Sequence, residues 1–214
     1  MWFGTRNGLN RFDGIQFKIF KNNSKELKSI GSNSILSLYE DQQQRLWAGT
    51  YKGVYIYDAL HENFSLFTQL PQEEVRSISS DKSGNIWFVI GFNLYRYNCS
   101  KNAIIFYNIA KTQIPVLSID KKGTIWCGTD SGMIKKYDAL NDRFIYGGML
   151  SFNKKKESVF IQTLYPVNDT LLLISTLNQV FLLNTKSGGQ KNIFSNYPWA
   201  NKILVHKIIQ QSAT

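Results

Sequence analysis

Few residues in this 214-residue sequence combine the type and spacing that chemistry needs. The candidates for nucleophile, base or metal ligand begin with two histidines, His61 and His206, and two cysteines, Cys99 and Cys127. A nucleophilic site needs a hydroxyl or thiol whose proton an adjacent base can take. Neither histidine stands in a local motif of that kind. A zinc site needs Cys and His at short, regular spacings, and no Cys-x-x-Cys pair occurs. Cys127 sits in an apolar stretch and reads as a buried free thiol; the cysteine count permits a disulfide to Cys99 but does not imply one. Glycoside cleavage would need two carboxylates converging in space. Asp and Glu here fall mostly in segments that read as turns. No catalytic residue, metal or cofactor is expected.

The bulk composition narrows the class. Hydrophobic residues are 43% and charged residues 19%, which suits a folded chain and not a disordered one. No apolar run approaches the roughly 20 residues that cross a bilayer as a helix, and no targeting segment is present in this chain. A formal charge of +10 suggests an acidic partner such as nucleic acid, anionic lipid or acidic glycan. The basic residues are nevertheless dispersed, with only Lys121-Lys122, Lys135-Lys136 and Lys154-Lys155-Lys156 as runs, so nucleic acid is not the expected partner.

The elements emerge from a repeat. Trp2, Trp47, Trp87 and Trp126 are spaced by 45, 40 and 39 residues. Each opens a similar phrase: Trp2-Phe3-Gly4-Thr5 leads to Phe12-Asp13, Trp47-Ala48-Gly49-Thr50 to Tyr57-Asp58, and Trp126-Cys127-Gly128-Thr129 to Tyr137-Asp138. Trp87-Phe88-Val89-Ile90-Gly91 is a weaker copy, and a fifth, Leu171–Thr176 followed by Gln179–Asn184, has lost its Trp. A period near 40 built from short strands predicts an all-β protein, a β-propeller of four-stranded antiparallel blades. About five blade units are expected, at approximately 1–20, 34–68, 74–108, 115–147 and 158–195, within one domain spanning 1–214. Asp81-Lys82-Ser83-Gly84 and Asp120-Lys121-Lys122-Gly123 read as turns with an Asp cap and a positive-φ glycine. Asp41-Gln42-Gln43-Gln44 is the same turn without its glycine, and some strain is expected there. The four tryptophans are expected to fill the wedges between blades.

The first unit lacks an innermost strand, and residues 203–211 look like an innermost strand with no blade after it. Either the chain is a piece of a larger propeller, or the terminal strand pairs with the incomplete first blade and closes the structure. Open hydrophobic edges are costly, so closure or edge pairing in a homodimer is expected.

The phrase Leu/Ile-Trp-x-Gly-Thr-x-x-Gly-Leu/Val-x-x-Tyr/Phe-Asp resembles the two-component regulator propeller repeat. Residues 1–58 in particular resemble the amino-terminal propeller of hybrid two-component sensors of Bacteroidetes. The resemblance implies a periplasmic sensing region that responds to oligosaccharides and controls polysaccharide-utilisation genes. Its kinase, receiver and DNA-binding domains have no counterpart in this chain. A scaffold propeller that binds a second propeller or protomer and no small molecule is the alternative, and a propeller glycoside hydrolase or lyase is a weaker one. Ser118–Trp126 is similar to the Asp-box of sialidases, with an Asp-to-Gly spacing one residue too long.

For ligand binding, the turns between the second and third strands of each blade offer Arg6, Asn7, Tyr51, Lys52, Phe92, Asn93, Asp130 and Ser131. Aromatic faces beside amide and charged groups suit sugar rings and hydroxyls.

Overall fold

A computed structural model describes residues 1–151 and 159–195. The terminal strand expected at 203–211, with His206, lies outside the described residues.

The described chain is almost wholly β. Its only helical element is a 3-10 turn at Asp130–Gly132. The first sheet has three strands, β1 (Trp2–Thr5), β2 (Gly8–Phe12) and β3 (Phe17–Phe20). Four four-stranded sheets follow. They are β4 (Ile35–Glu40), β5 (Leu46–Thr50), β6 (Gly53–Asp58) and β7 (Asn63–Leu66); then β8 (Val75–Ser80), β9 (Ile86–Ile90), β10 (Asn93–Asn98) and β11 (Ala103–Asn108). Next come β12 (Val116–Ile119), β13 (Ile125–Gly128), β14 (Met133–Asp138) and β15 (Arg143–Met149). The last sheet holds β16 (Thr163–Pro166), β17 (Leu171–Ser175), β18 (Val180–Asn184) and β19 (Gln190–Asn192). Strands within a sheet run in chain order and pair antiparallel. These are β-propeller blades, and the first one starts at its second strand, as the position of Trp2 predicts. Two compact units divide the chain, Met1–Asn108 with three blades and Ile109–Thr214 with two.

Each residue of the repeated phrase has a physical job. The tryptophan fills the space between consecutive blades. Trp47 lies with its ring centroid 5.7 Å from Phe88 and 5.1 Å from Phe67. Trp2 meets Tyr57 edge-on at 4.8 Å, and Trp126 packs in one cluster with Leu164, Leu172 and Phe181. Such edge-to-face geometry suits the ring quadrupole. Trp47, Trp87 and Trp126 are fully buried, while Trp2 is half-buried.

The glycine two residues later marks the closest approach of blades. A Cβ on Gly49 would stand 2.1 Å from Ser37 Oγ and 2.8 Å from Val75 Cγ1; on Gly4, 2.8 Å from Ile35 Cγ2; on Gly128, 2.9 Å from Ile161 Cγ2. In each case the next blade's innermost strand, or the residue leading into it, crosses there.

The threonine closes the hairpin. Thr5 and Thr50 donate their hydroxyls to the carbonyls of Gly8 and Gly53 at 2.8 and 2.9 Å, and Thr129 to Met133 at 3.2 Å. Thr176 does the same to Gln179 at 3.3 Å. That contact aligns Leu173 with the tryptophan position of the degenerate fifth blade.

A cation sits over every repeat tryptophan. Directly across the hairpin, Trp2 pairs with Arg11, Trp87 with Arg96 and Trp126 with Lys136. Their charged groups lie 5.8, 5.6 and 5.3 Å from the rings. In the second blade Ile56 occupies that place, and Arg45, two residues before Trp47, supplies the cation at 5.2 Å.

Candidate functional site

Two ends of the blades are chemically distinct. At one end lie the turns between first and second strands, built around aspartates. Asp41 Oδ1 accepts the backbone N–H groups of Gln43 and Arg45, and its Oδ2 accepts Arg45 Nε and the indole N–H of Trp47. Burial opposes the Asp41 charge, but the bonds from Trp47 and Arg45 outweigh it and hold the carboxyl below the usual range. Asp81 repeats the pattern with Ser83, Asn85 and Trp87. Between these two turns lies a cleft of about 240 Å³ lined by Tyr39, Arg45, Ser80 and Cys99. Tyr39 bonds Ser80 at 2.5 Å across it. The carboxylates of Asp41 and Asp81 are spent on holding the turns.

At the other end lie the turns between second and third strands. Gly8 N–H donates to Asn33 O, and Gly53 N–H to Glu73 O, so these turns sit beside the connections that enter the next blade. Three of them, in the first unit, carry Arg6 with Asn7, Tyr51 with Lys52, and Phe92 with Asn93. Arg6, Asn7 and Lys52 are exposed. Tyr51 and Phe92 are 49% and 45% exposed. Asn93 is half-buried and pairs with Ile90 and Asn108. The turns therefore offer two open aromatic faces, a guanidinium, an ammonium and two amides.

Asp130 and Ser131 stand on the corresponding turn of the fourth sheet, in the second unit. Asp130 is fully engaged: it accepts Lys111 N–H at 2.6 Å, Thr112 N–H at 3.0 Å and the Thr112 hydroxyl at 3.0 Å. Burial works against its charge, yet those donors hold its carboxyl below the usual range. It is a tether for the chain entering that blade. Ser131 adopts φ 55 and is exposed.

His61 pairs with Asp58 at 2.7 Å on an exposed turn. Both cysteines are free, and burial pushes the Cys127 thiol far up. Among the described residues no three His, Cys, Asp or Glu side chains gather to hold a metal. No helix there is long and apolar enough to cross a membrane. The repeated Asp–Trp bonds had a sequence signal that composition and turn reading passed over, namely Asp and Trp six residues apart at 41/47 and 81/87.

Comparison with known proteins places these blades. Residues 29–52, which include β4 and β5, match the family model described as two component regulator propeller. The fold of the chain is similar to the extracellular domain of the hybrid two component system BT3049 from B. thetaiotaomicron, at 20% identity and TM-score 0.66, over 90% of this chain and 26% of that one. It is also similar to the extracellular domain of BT4673 from the same organism, at 17% and 0.52, over 96% and 35%. Virginiamycin B lyase from Staphylococcus aureus shares the fold at 14% and 0.62, over 92% and 66%. The chain spans about a quarter to a third of the length of the two extracellular domains. No curated protein matches the sequence.

Proposed function

We propose that this chain is part of the extracytoplasmic, periplasmic sensing region of a hybrid two-component sensor of the Bacteroidetes type, and that it binds oligosaccharide without catalysis. The observation that carries the reading is the two component regulator propeller match at residues 29–52, on blades folded like the extracellular domain of a hybrid two component system. The ligand would be an oligosaccharide released from a polysaccharide, and the response would be control of polysaccharide-utilisation genes. Tyr51 and Phe92 would stack on sugar rings while Arg6, Asn7, Lys52 and Asn93 bond hydroxyls. Asp130 and Ser131 would support the equivalent turn of the second unit. Calorimetric titration with a panel of neutral oligosaccharides tests this. One member should bind, and Tyr51→Ala or Phe92→Ala should weaken it by about tenfold, as loss of a stacking partner does. Absence of binding across the panel, or binding indifferent to both changes, would sink the site.

A second reading has its own observation. Phe3, Phe17 and Ile19 are 41%, 59% and 55% exposed on the first blade, with the Phe3 and Phe17 rings 5.9 Å apart. Such a face suits packing against a second propeller or protomer. Light scattering on the purified chain separates the readings: a dimer dispersed by Phe17→Glu favours this one, and a monomer at all concentrations removes it.

A further inference from the structure

A second cleft lies in the first unit, on the outer side of its first two blades. It encloses about 570 Å³ and is lined by residues 19–21 of β3 and its exit, residues 25–30 of the loop that follows, and residues 61–64. Its floor is apolar, with Phe20, Ile30 and Phe64 buried beneath it. Its rim is basic. Lys21, Lys25 and Lys28 are exposed, and none of the three has a carboxylate partner among the described residues.

The wall that carries these lysines is built. Asn22 N–H donates to Asn33 Oδ1 at 2.7 Å, and its side-chain amide donates to Ile30 O at 3.0 Å. Ser29 Oγ accepts Asn23 N–H and donates to Asn23 O. Asn23 Oδ1 caps Lys25 N–H. Phe64 N–H then clamps the loop to β7 through Lys28 O at 2.8 Å. A loop with no strand of its own is thus fixed by its own amides, and it holds three ammonium groups around one cleft.

The nearby carboxylates do not cancel this charge. Glu62 is held by Arg11 at 2.7 Å and by Lys18, which keep its carboxyl below the usual range. Asp58 is held by His61. Glu26 is the remaining acid on the rim. Of the residues that line the cleft, Lys21, Lys25 and Lys28 therefore stand against Glu26 and a Glu62 already paired with Arg11 and Lys18.

We infer that this cleft is a second ligand site, separate from the strand-turn residues, and that it takes an oligosaccharide bearing carboxylate or sulfate groups. The cations recognise the anionic groups, and the exposed apolar side chain of Leu27 gives a surface for ring C–H groups. That the ligand is a glycan rests on the sensor reading above; that it is anionic rests on the cleft.

The test uses the whole chain and calorimetry with tetragalacturonate, a sulfated disaccharide, a neutral tetrasaccharide and tetraglutamate. Either acidic saccharide should bind, more weakly as salt rises. The triple change Lys21→Gln, Lys25→Gln, Lys28→Gln should weaken it by about tenfold or more, because like charges around a shared cleft act together on one anion. The control triple Lys82→Gln, Lys101→Gln, Lys186→Gln should leave it within about twofold, as rim charges distant from a ligand do. Equal loss in the control triple overturns the site, and tetraglutamate binding as tightly with the same dependence overturns the glycan class. If only the neutral saccharide binds, through Tyr51 and Phe92, this inference falls and the sensor reading stands. If no saccharide binds, both fall.

Discussion

Trp47 donates its indole N–H to the carboxylate of Asp41 at 2.8 Å, six residues earlier on the same hairpin. Trp87 and Asp81 reproduce the bond at the same distance. Trp126 does not: its indole nitrogen is buried with no hydrogen-bond partner among the described residues, although Asp120 sits six residues before it. Asp120 spends Oδ1 on the Lys122 and Thr124 N–H groups, and Thr124 stands where the other turns have Arg45 and Asn85, whose side chains also reach Oδ2.

This difference orders the cost of removing the indole nitrogen. Trp47→Phe breaks a bond to a charged acceptor, whereas Trp126→Phe removes an unsatisfied buried donor. The first change should therefore destabilise by about 1–3 kcal/mol more than the second. Denaturant unfolding of the two variants measures it; equal losses would show that the Asp41 bond contributes nothing net.

The lowered carboxyls set a pH dependence. Asp41 and Asp130 are each opposed by burial but held down by N–H donors, so their folded pKa values lie below the unfolded ones. A depressed folded value means stability is fully present above the unfolded value, near 4, and is lost as pH falls through the folded value. The melting temperature should hold steady from neutral pH down to about 5 and fall below about 4. Asp130→Asn should flatten part of that acid loss. An unchanged acid profile in that variant would remove Asp130 from the account.

Gln44 is the one turn residue of its kind that takes the left-handed conformation without being glycine, with φ 62 against 76 at Gly84 and 86 at Gly123. An L residue there costs roughly 1–2 kcal/mol, partly offset by the unfolded-state entropy that glycine adds. Gln44→Gly should raise stability by about 0.5–1 kcal/mol, read as a higher melting temperature. A lower one would mean that the Gln44 side chain holds the turn by a contact stronger than the backbone strain.

Gly49→Ala should do the opposite. Its added methyl would meet the Val75 carbonyl oxygen at 2.9 Å as well as Ser37 and Val75 side chains, and backbone cannot step aside cheaply. A loss of about 2–4 kcal/mol is expected, the range of overpacked cores and beyond. Gly189→Ala, whose new methyl would meet only Ser187 Oγ at 3.3 Å, is the control.

Much of the architecture was legible before any coordinates. The four-stranded antiparallel blades could be read from the repeat, because pleating and turn chemistry are local. The strained Asp41–Gln44 turn was legible for the same reason, since a missing glycine is a local defect. The outer strand Arg143–Met149 runs through Gly147 and Gly148 around a bulge that periodicity does not show.

The site was less legible. The turn residues could be placed on one end of the blades by counting strands, but nothing in the sequence said that Asp130 is spent on Lys111 and Thr112, nineteen and eighteen residues away. Likewise the spacing of Trp and Gly-Thr was visible, yet their reasons were not. The glycine of the second blade is required by Val75 of the following blade, and Trp2, Trp87 and Trp126 are covered by cations that register, not sequence distance, brings across the hairpin. Lys21, Lys25 and Lys28 read as dispersed charge along the chain. Only the packing of their loop against β7 turns them into the rim of one cleft. The repeat, its strands and its turns follow from interactions between residues a few positions apart, which the sequence determines by itself. Charge convergence, blade contact and the engagement of each carboxylate depend on residues tens of positions apart, and tertiary packing alone decides which of them meet.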